Sequence, residues 1–185
     1  MSSAVSTTLE QGIQTWTLDP SHTQVGFAVK HLMISTVKGR FPDVTGSVSM
    51  YPGDPILEAD ISIKTASITT NEEKRDAHLR SADFLNADVY PVIQFRGSRI
   101  DGNPDSKFVL HGDLTIRGAT KPVALYIVNH GRLTDPWGNE RVGYTATTSI
   151  HRKDFGLEWN MALEAGGVLV GDEVRITIET ELVRQ

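Results

Sequence analysis

Apolar and polar residues alternate with a period of two along most of the chain. Val, Ile, Leu and Phe recur at every second position, with few exceptions, in the segments 23–29, 57–63, 108–116 and 174–178. Successive side chains of a strand point to opposite faces of its sheet, so this pattern indicates strands with one buried face. Shorter alternating runs lie around 44–50, 92–100, 123–128 and 142–150. Together these runs predict about eight strands.

Turn-forming residues separate the predicted strands. Gly, Pro, Asn and Asp cluster at 51–55, 101–104, 117–118 and 135–139. Strands joined by such short links are antiparallel neighbours, because a parallel pair needs a crossover of a dozen or more residues. Two segments break the alternation. We expect a turn of helix at 31–36 and a longer helix over 70–86, with Thr70 and Glu73 as its capping box.

Eight antiparallel strands with one apolar face have two ways to bury that face. They pack as a sandwich of two sheets, or they close into a barrel that holds packed side chains or one slim ligand. The alternation by itself does not separate these two architectures. The sequence has no internal repeat or linker, so we expect one domain over 15–185 after a flexible segment at 1–14.

Composition and charge exclude several classes of function. The 18 Lys and Arg residues are scattered and the net charge is −5, which argues against nucleic-acid binding. The absence of cysteine excludes disulfides and thiolate metal sites. Asp76 with His78, and His111 with Asp113, have the spacing of same-face neighbours but complete no metal-ligand set, so we expect no metal. Neither a Gly-x-Ser-x-Gly motif nor a Gly-rich phosphate loop is present, and we expect no catalytic residues.

The ends of the chain bear on its compartment. Residues 1–12 lack the positive start and the apolar run of a signal peptide, and no stretch approaches the roughly 20 apolar residues of a membrane-spanning helix. As written, the sequence predicts a cytoplasmic protein without a membrane-spanning segment. A chain whose leader had been removed would look the same, so a periplasmic or secreted location stays open.

Several separated motifs, in the same order, resemble the YceI family, also called the polyisoprenoid-binding proteins, from about Trp16 to Leu182. They include Trp16-Thr-Leu-Asp-Pro-Ser-His22, Arg75-Asp-Ala-His-Leu-Arg80, Gly112-Asp-Leu-Thr-Ile-Arg-Gly118, Asp135-Pro-Trp-Gly138 and Arg152-Lys-Asp-Phe-Gly156. The resemblance implies an all-β, lipocalin-like closed barrel, a homodimer, and a long tunnel for a polyisoprenoid quinone or a similar amphiphile. His151 stands where the family commonly has Asn, so no shared role is carried over to it.

The leading hypothesis is therefore non-catalytic binding, with carriage or sequestration of a long apolar lipid such as an isoprenoid quinone or precursor, and no catalytic cofactor. We nominate as ligand-binding residues the bulky apolar side chains Phe27, Val29, Leu32, Met33, Ile34, Phe41, Phe84, Leu85, Phe95, Leu114, Ile116, Phe155, Trp159 and Met161. Arg152 and Asp154 are the candidate partners of a polar head group. The alternative is a hydrolase or isomerase that acts on a similar lipid through His and carboxylates near the barrel mouth.

Overall fold

A computed structural model describes residues 12–51 and 56–185 of the chain. Within these ranges ten strands form one antiparallel sheet. The strands are β1 (Gln14–Leu18), β2 (Gln24–His31), β3 (Ser35–Phe41), β4 (Val44–Met50), β5 (Ile56–Lys64), β6 (Val92–Gly102), β7 (Lys107–Ile116), β8 (Ala119–Thr134), β9 (Glu140–His151) and β10 (Val170–Arg184). One α-helix, α1 (Glu73–Arg80), and three 3₁₀ turns, Pro20–His22, Thr65–Ser67 and Arg152–Phe155, lie in the connections.

The sheet closes into an eight-stranded barrel, because two pairs of consecutive strands each occupy one position in it. β1 and β2 act as one bent strand interrupted by the Pro20–His22 turn, since both pair with β10. β3 and β4 likewise follow each other with only two residues between them. Pairing of β1 with both β4 and β10 completes the ring. The predicted eight-stranded, lipocalin-like antiparallel barrel is therefore confirmed, and closure removes most of the exposed strand edges that a sandwich would leave.

The two ends of the barrel differ in construction. One end, which we call the floor, carries the tight β6–β7 and β8–β9 turns and both chain ends of the sheet. The other end, the mouth, carries the β2–β3 turn, the long connection 65–91 and the long connection 152–169. At the mouth end, β3 has one isolated bridge to Thr69 in place of a second ladder among the described residues. The connection that contains α1 lies beside this gap.

Helix α1 differs from the helix predicted for 70–86. It is eight residues long, and its N-cap is Glu72, whose carboxylate accepts hydrogen bonds from the backbone N–H groups of Lys74 and Arg75. The predicted capping box of Thr70 and Glu73 is wrong, because the Thr70 hydroxyl donates to the buried carboxylate of Asp76 at 2.6 Å. The segment after Arg80 turns back in non-helical conformation, which the apolar residues in it did not indicate.

The predicted turn of helix at 31–36 is also wrong. Residues 32–34 form the tip of the β2–β3 hairpin, with His31 paired to Ser35. Leu32 and Met33 have φ angles of 53° and 61°, which lie in the left-handed region that disfavours side chains with a Cβ. A hairpin needs such a conformation to match the twist of its strands, and here it is adopted without Gly or Asn.

The floor is filled by tightly packed side chains. Trp16, Met50 and Val142 are 1 %, 0 % and 1 % exposed, and Phe108 lies beside them in the same apolar core. The Arg132 guanidinium lies 5.2 Å from the centre of the Trp16 ring, a cation–π contact that covers this end of the barrel. The floor is therefore the closed end.

Two of the predicted segments lie largely outside the described residues. The predicted flexible segment 1–14 lies almost wholly outside the described residues, and β1 already begins at Gln14. Most of the predicted turn at 51–55 lies outside them as well. No helix in the described part of the chain has the length and apolar character needed to cross a bilayer.

Candidate functional site: a cavity inside the barrel

An internal cavity of about 570 Å³ occupies the barrel. Along β10 its wall extends from Val170 to Leu182, which corresponds to roughly 40 Å of strand at 3.3 Å per residue. Ligand pockets for small molecules typically measure about 300–1,000 Å³, so the space suits one slender molecule. The wall is almost entirely apolar, because the inward positions of the alternating strands carry Val, Ile, Leu and Phe.

Many inward-facing side chains are only half-buried. Phe27 and Val29 of β2 and Val174, Ile176 and Ile178 of β10 line the cavity, yet they keep an accessible surface. That surface faces the hollow, because the outward positions of these strands are polar. In a filled core such side chains would each touch several neighbours and lose this surface. The hollow is therefore a property of the backbone arrangement, with β10 and β2 standing off from the opposite wall.

Three rings meet at the mouth. The imidazole of His78 lies edge-on to Phe84 and Trp159, with ring centres 5.0 and 4.7 Å away. Its Nε2 atom lies 2.8 Å from the carboxylate of Asp83. α1 and the 152–169 connection are thus joined across the mouth through His78, and all three rings lie along the cavity wall.

The basic and imidazole residues of the cavity wall are all at the mouth end. They are Lys30, His31, Lys74, Arg75, His78 and Arg152. None of the described residues that line the cavity is Asp or Glu. The polar end of the cavity is thus basic, although the chain as a whole carries a net charge of −5.

Arg152 is the buried member of this group. It is 4 % exposed, and its guanidinium donates hydrogen bonds to the carbonyl oxygens of Gly171 (2.8 Å), Leu157 (2.7 Å) and Trp159 (2.9 Å). Burial lowers the pKa of the guanidinium, since the charged form loses hydration. An arginine nevertheless stays charged at neutral pH. Arg152 therefore holds the 152–169 connection to β10 and brings a positive charge to the cavity wall.

The structure brings together ten of the sixteen nominated residues. The cavity wall contains Phe27, Val29, Phe41, Phe84, Leu85, Phe95, Leu114, Ile116, Trp159 and Arg152. Contact of these residues with a ligand remains a prediction. The other six nominated residues do not line the cavity.

Asp154 and Phe155 lie on the outside of the barrel. Both line a groove on the outer surface where the β8–β9 ladder ends at Tyr126 and Thr147. Phe155 is 2 % exposed and packs into this gap from the Arg152–Phe155 turn. The nomination of Asp154 as a head-group partner is corrected by this position, since the side chain is exposed on the outer wall. Sequence proximity to Arg152 was misleading because the turn directs the two side chains to opposite sides of the wall.

The remaining four nominated residues form the rim of the mouth. Leu32, Met33 and Ile34 are at the exposed hairpin tip, and Met161 lies in the 152–169 connection. Ile34 is 83 % exposed. The Leu32 backbone N–H donates to the Leu169 carbonyl, so the tip is tied to this connection beside the opening. Their apolar character therefore belongs to the rim and not to the cavity wall.

Two groups of cavity residues were not nominated from the sequence. Val174, Ile176 and Ile178 had the signal that could have identified them, a clean alternation in the last strand. Lys74, Arg75 and His78 were harder to identify, because nothing in a short polar helix indicates which face meets a cavity. Lys74 and Arg75 lie four and three residues before His78, so each of them is a neighbour of His78 on the helix surface.

A separate cluster of charges on the outer wall explains two of the motifs. Arg141 donates to Asp19 (2.7 Å), Asp135 (2.8 Å) and Glu181 (3.1 Å). It thereby ties the bend between β1 and β2 to the β8–β9 turn. The guanidinium holds the pKa values of Asp19 and Asp135 well below their usual range. Asp19 in turn raises the pKa of His22.

The same cluster has the composition of a metal site without its geometry. Ligand atoms of Asp19, His22 and Glu181 lie within 4.8 Å of one another. The Arg141 guanidinium already donates to the carboxylates of Asp19 and Glu181, so it occupies the position that a metal cation would need. The motif residues here have a structural role.

These features define the class of protein: a closed antiparallel barrel with a floor, a mouth and an apolar interior cavity, as in lipid-binding barrels. The YceI-like domain family matches residues 16–182, and the chain belongs to this family. A UPF0312 protein of Shewanella baltica strain OS185 is 36% identical over 142 residues, which cover 76% of this chain and 74% of that protein.

Two solved structures show the same fold. A YceI protein of Campylobacter jejuni superimposes with a TM-score of 0.71 at 29% identity, covering 84% of this chain and 90% of that one. A polyisoprenoid binding domain from Saccharophagus degradans, implicated in plant cell wall breakdown, gives a TM-score of 0.69 at 14% identity, covering 92% and 98%. The second likeness, at this identity, concerns the fold alone.

Proposed function

We propose that this protein binds one long, slender apolar lipid of the polyisoprenoid type inside the barrel and carries or sequesters it. The observation that carries the proposal is the hollow itself, an elongated apolar space to which inward side chains of β2 and β10 are partly exposed. Burying a methylene group contributes roughly 0.8 kcal/mol, so a tail along this wall supplies most of the affinity. Ordering a flexible chain offsets part of that gain.

Carriage fits the shape of the barrel. The floor is sealed by Trp16 and Met50, so a ligand enters and leaves at the mouth. The exposed apolar rim residues surround that opening, where a water-insoluble molecule would first meet the protein. The homodimer implied by the family resemblance stays a prediction.

The enzyme alternative would rest on the His78–Asp83 pair at the mouth. In the described residues no hydroxyl group is hydrogen-bonded to this imidazole, so the pair lacks the nucleophile of a hydrolytic triad. The geometry therefore favours binding. Turnover of a lipid with a bell-shaped pH dependence, abolished by His78→Gln with binding retained, would favour the enzyme instead.

The test is to identify what the cavity holds. Protein purified from cells is extracted with organic solvent, and the extract is analysed by mass spectrometry for an apolar molecule in a stoichiometric amount. Emptied protein is then mixed with geranylgeraniol, which at 100 times its Kd should raise the free energy of unfolding by about 2.7 kcal/mol. An extract without lipid, together with an unchanged melting temperature, would contradict the proposal.

A further inference from the structure

We propose that the lipid carries an anionic head group, a phosphate monoester or a carboxylate, which the basic groups at the barrel mouth bind. This inference rests on the proposed function, because it assigns the head of the ligand whose tail occupies the cavity. The head-group site consists of Lys74 and Arg75 on α1, the buried Arg152, and the neighbouring His31 and His78.

Charge is separated within the cavity. The basic and imidazole residues of the wall are all at one end, while the rest of the wall is apolar apart from Tyr144, Thr148 and Thr180. A neutral amphiphile needs a few hydrogen-bonding groups to fix its orientation, and hydroxyl or amide side chains serve that purpose. A wall that instead combines several cations without one carboxylate among its described residues is complementary to an anion.

The side chains of Lys74, Arg75 and Arg152 make no hydrogen bond to a carboxylate in the described part of the chain. The Lys74 ammonium makes no hydrogen bond or ion pair there, and the Arg75 guanidinium donates only to the hydroxyl and carbonyl of Thr70. Arg152 bonds to carbonyl oxygens alone. A buried charge ordinarily has a counter-charge, because desolvation is otherwise costly.

Three carboxylates on or beside α1 are hydrogen-bonded to groups other than these cations. Glu72 accepts from two backbone N–H groups at the start of α1, and Asp76 accepts from Thr70. Asp83 is hydrogen-bonded to His78. Asp172 favours the charge of Arg152 from a distance, without a hydrogen bond to the guanidinium in the described residues. The charged groups of Lys74 and Arg75 thus remain available to a ligand, while the charge of Arg152 is partly offset by Asp172.

The Arg152 guanidinium keeps a weakly used donor at the cavity wall. Nη2 of Arg152 has two hydrogens, and its one contact within the described residues is a long one, 3.4 Å to the Val170 carbonyl. This leaves donor capacity beside the cavity. Lys74 and Arg75, on exposed turns of α1, reach the same wall from the solvent side, so an anion there would be bound by both a rigid and a flexible partner.

The experiment compares ligands with the same tail and different heads. Geranylgeranyl phosphate, geranylgeranoic acid, geranylgeraniol and geranylgeranylamine each displace the neutral fluorescent probe N-phenyl-1-naphthylamine from emptied protein, at concentrations below self-association. We expect the two anions to bind about tenfold or more tightly than the alcohol, and the amine to bind most weakly. The advantage of the anions should shrink at high ionic strength, since the exposed Lys74 and Arg75 are screened. A preference between phosphate and carboxylate would identify which source of anion the site favours.

Substitutions at the mouth test which residues cause the preference for anionic head groups. The double variant Lys74→Gln/Arg75→Gln leaves the barrel core untouched and should remove most of the preference for anions while binding of the alcohol is retained. Lys107→Gln, an exposed lysine at the floor end, is the matched control and should leave the preference unchanged. Arg152→Gln is less informative alone because it also removes bonds that hold the 152–169 connection.

The outcomes separate the two proposals. If the alcohol binds as tightly as the anions, or if the double variant keeps the full preference, the head-group inference is overturned and the proposed function stands. If no lipid displaces the probe, with any head, the proposed function itself fails.

Discussion

The floor and the hollow part of the barrel are built from the same alternating strands but have opposite interiors. In the floor, Trp16 and Met50 reach across the barrel and are almost completely buried. Toward the mouth, Ile176 and Ile178 point inward in the same way and remain half-exposed to an unfilled space. A side chain that points into the barrel is therefore not always packed against other side chains. The floor contributes stability, whereas the hollow leaves apolar surface available for a ligand.

The largest effect is expected from opening the floor. Trp16→Ala removes a fully buried indole and should lower the free energy of unfolding by about 3–5 kcal/mol, as large-to-small core substitutions do. Chemical denaturation monitored by circular dichroism measures this change. Trp137→Ala is the control, because Trp137 is 81 % exposed and its loss should cost less than about 0.5 kcal/mol. Equal effects of the two variants would mean that the floor is not a packed core.

Filling the hollow should have the converse result. Ile176→Trp places a larger side chain in the cavity, so we expect the Kd for geranylgeraniol to rise about tenfold or more. Each tenfold rise corresponds to a loss of about 1.4 kcal/mol of binding free energy. Stability should change by less than about 1 kcal/mol, because the space is already present and no packed neighbour is displaced. Isothermal calorimetry and denaturation report the two quantities.

Thr177→Trp is the matched control for that experiment. Thr177 is the next residue of β10 and lies on the outer face. Its replacement should leave affinity unchanged. Strong destabilisation by Ile176→Trp would contradict the hollow, since it would show that Ile176 is surrounded by packed side chains.

A smaller effect is expected at the rim of the hollow part. Leu32 and Met33 adopt left-handed backbone conformations, which Asn-Gly adopts with less strain. Replacing the two residues by Asn-Gly should therefore raise the free energy of unfolding by about 1 kcal/mol. Ile34→Asn at the same tip, where φ is not positive, should have no such effect. An unchanged or lower stability of the Asn-Gly variant would argue against strain at this turn.

The smallest effect is expected from the cluster of charges around Arg141 on the outer wall, because these groups lie near the surface. The pKa values of Asp19 and Asp135 are lowered by Arg141, so their stabilisation is fully present above pH of about 4 and is lost as the pH falls further. The melting temperature of wild type should exceed that of Arg141→Gln by a constant amount above that pH, and the two should converge in acid.

The sign is opposite for His22. Its pKa is raised, so its stabilisation is full below pH of about 6.5 and is lost as the pH rises through the folded-state pKa. Arg99→Gln, at an exposed position, is the control for both trends. A difference between wild type and Arg141→Gln that is independent of pH down to strongly acid conditions would show that the carboxylates do not contribute.

The sequence by itself determined eight of the ten strands, all but β1 and β3, together with their antiparallel order and the direction of their side chains. The period of two at Val174, Ile176 and Ile178 is a local property, set by the strand geometry of neighbouring residues, and so it could be predicted without the fold. The family motifs made the choice between barrel and sandwich. The floor residue Trp16 was within those motifs, although its position in the barrel was not indicated.

Only the tertiary structure decided which inward side chains meet a partner and which face the hollow. That distinction depends on the distance between strands far apart in the chain, such as β10 and the opposite wall, and no local pattern encodes it. The same reason explains Asp154 and Phe155, whose side of the wall follows from one 3₁₀ turn. It also explains the basic mouth, since Lys74, Arg75 and Arg152 line one cavity only when α1 is placed against the 152–169 connection.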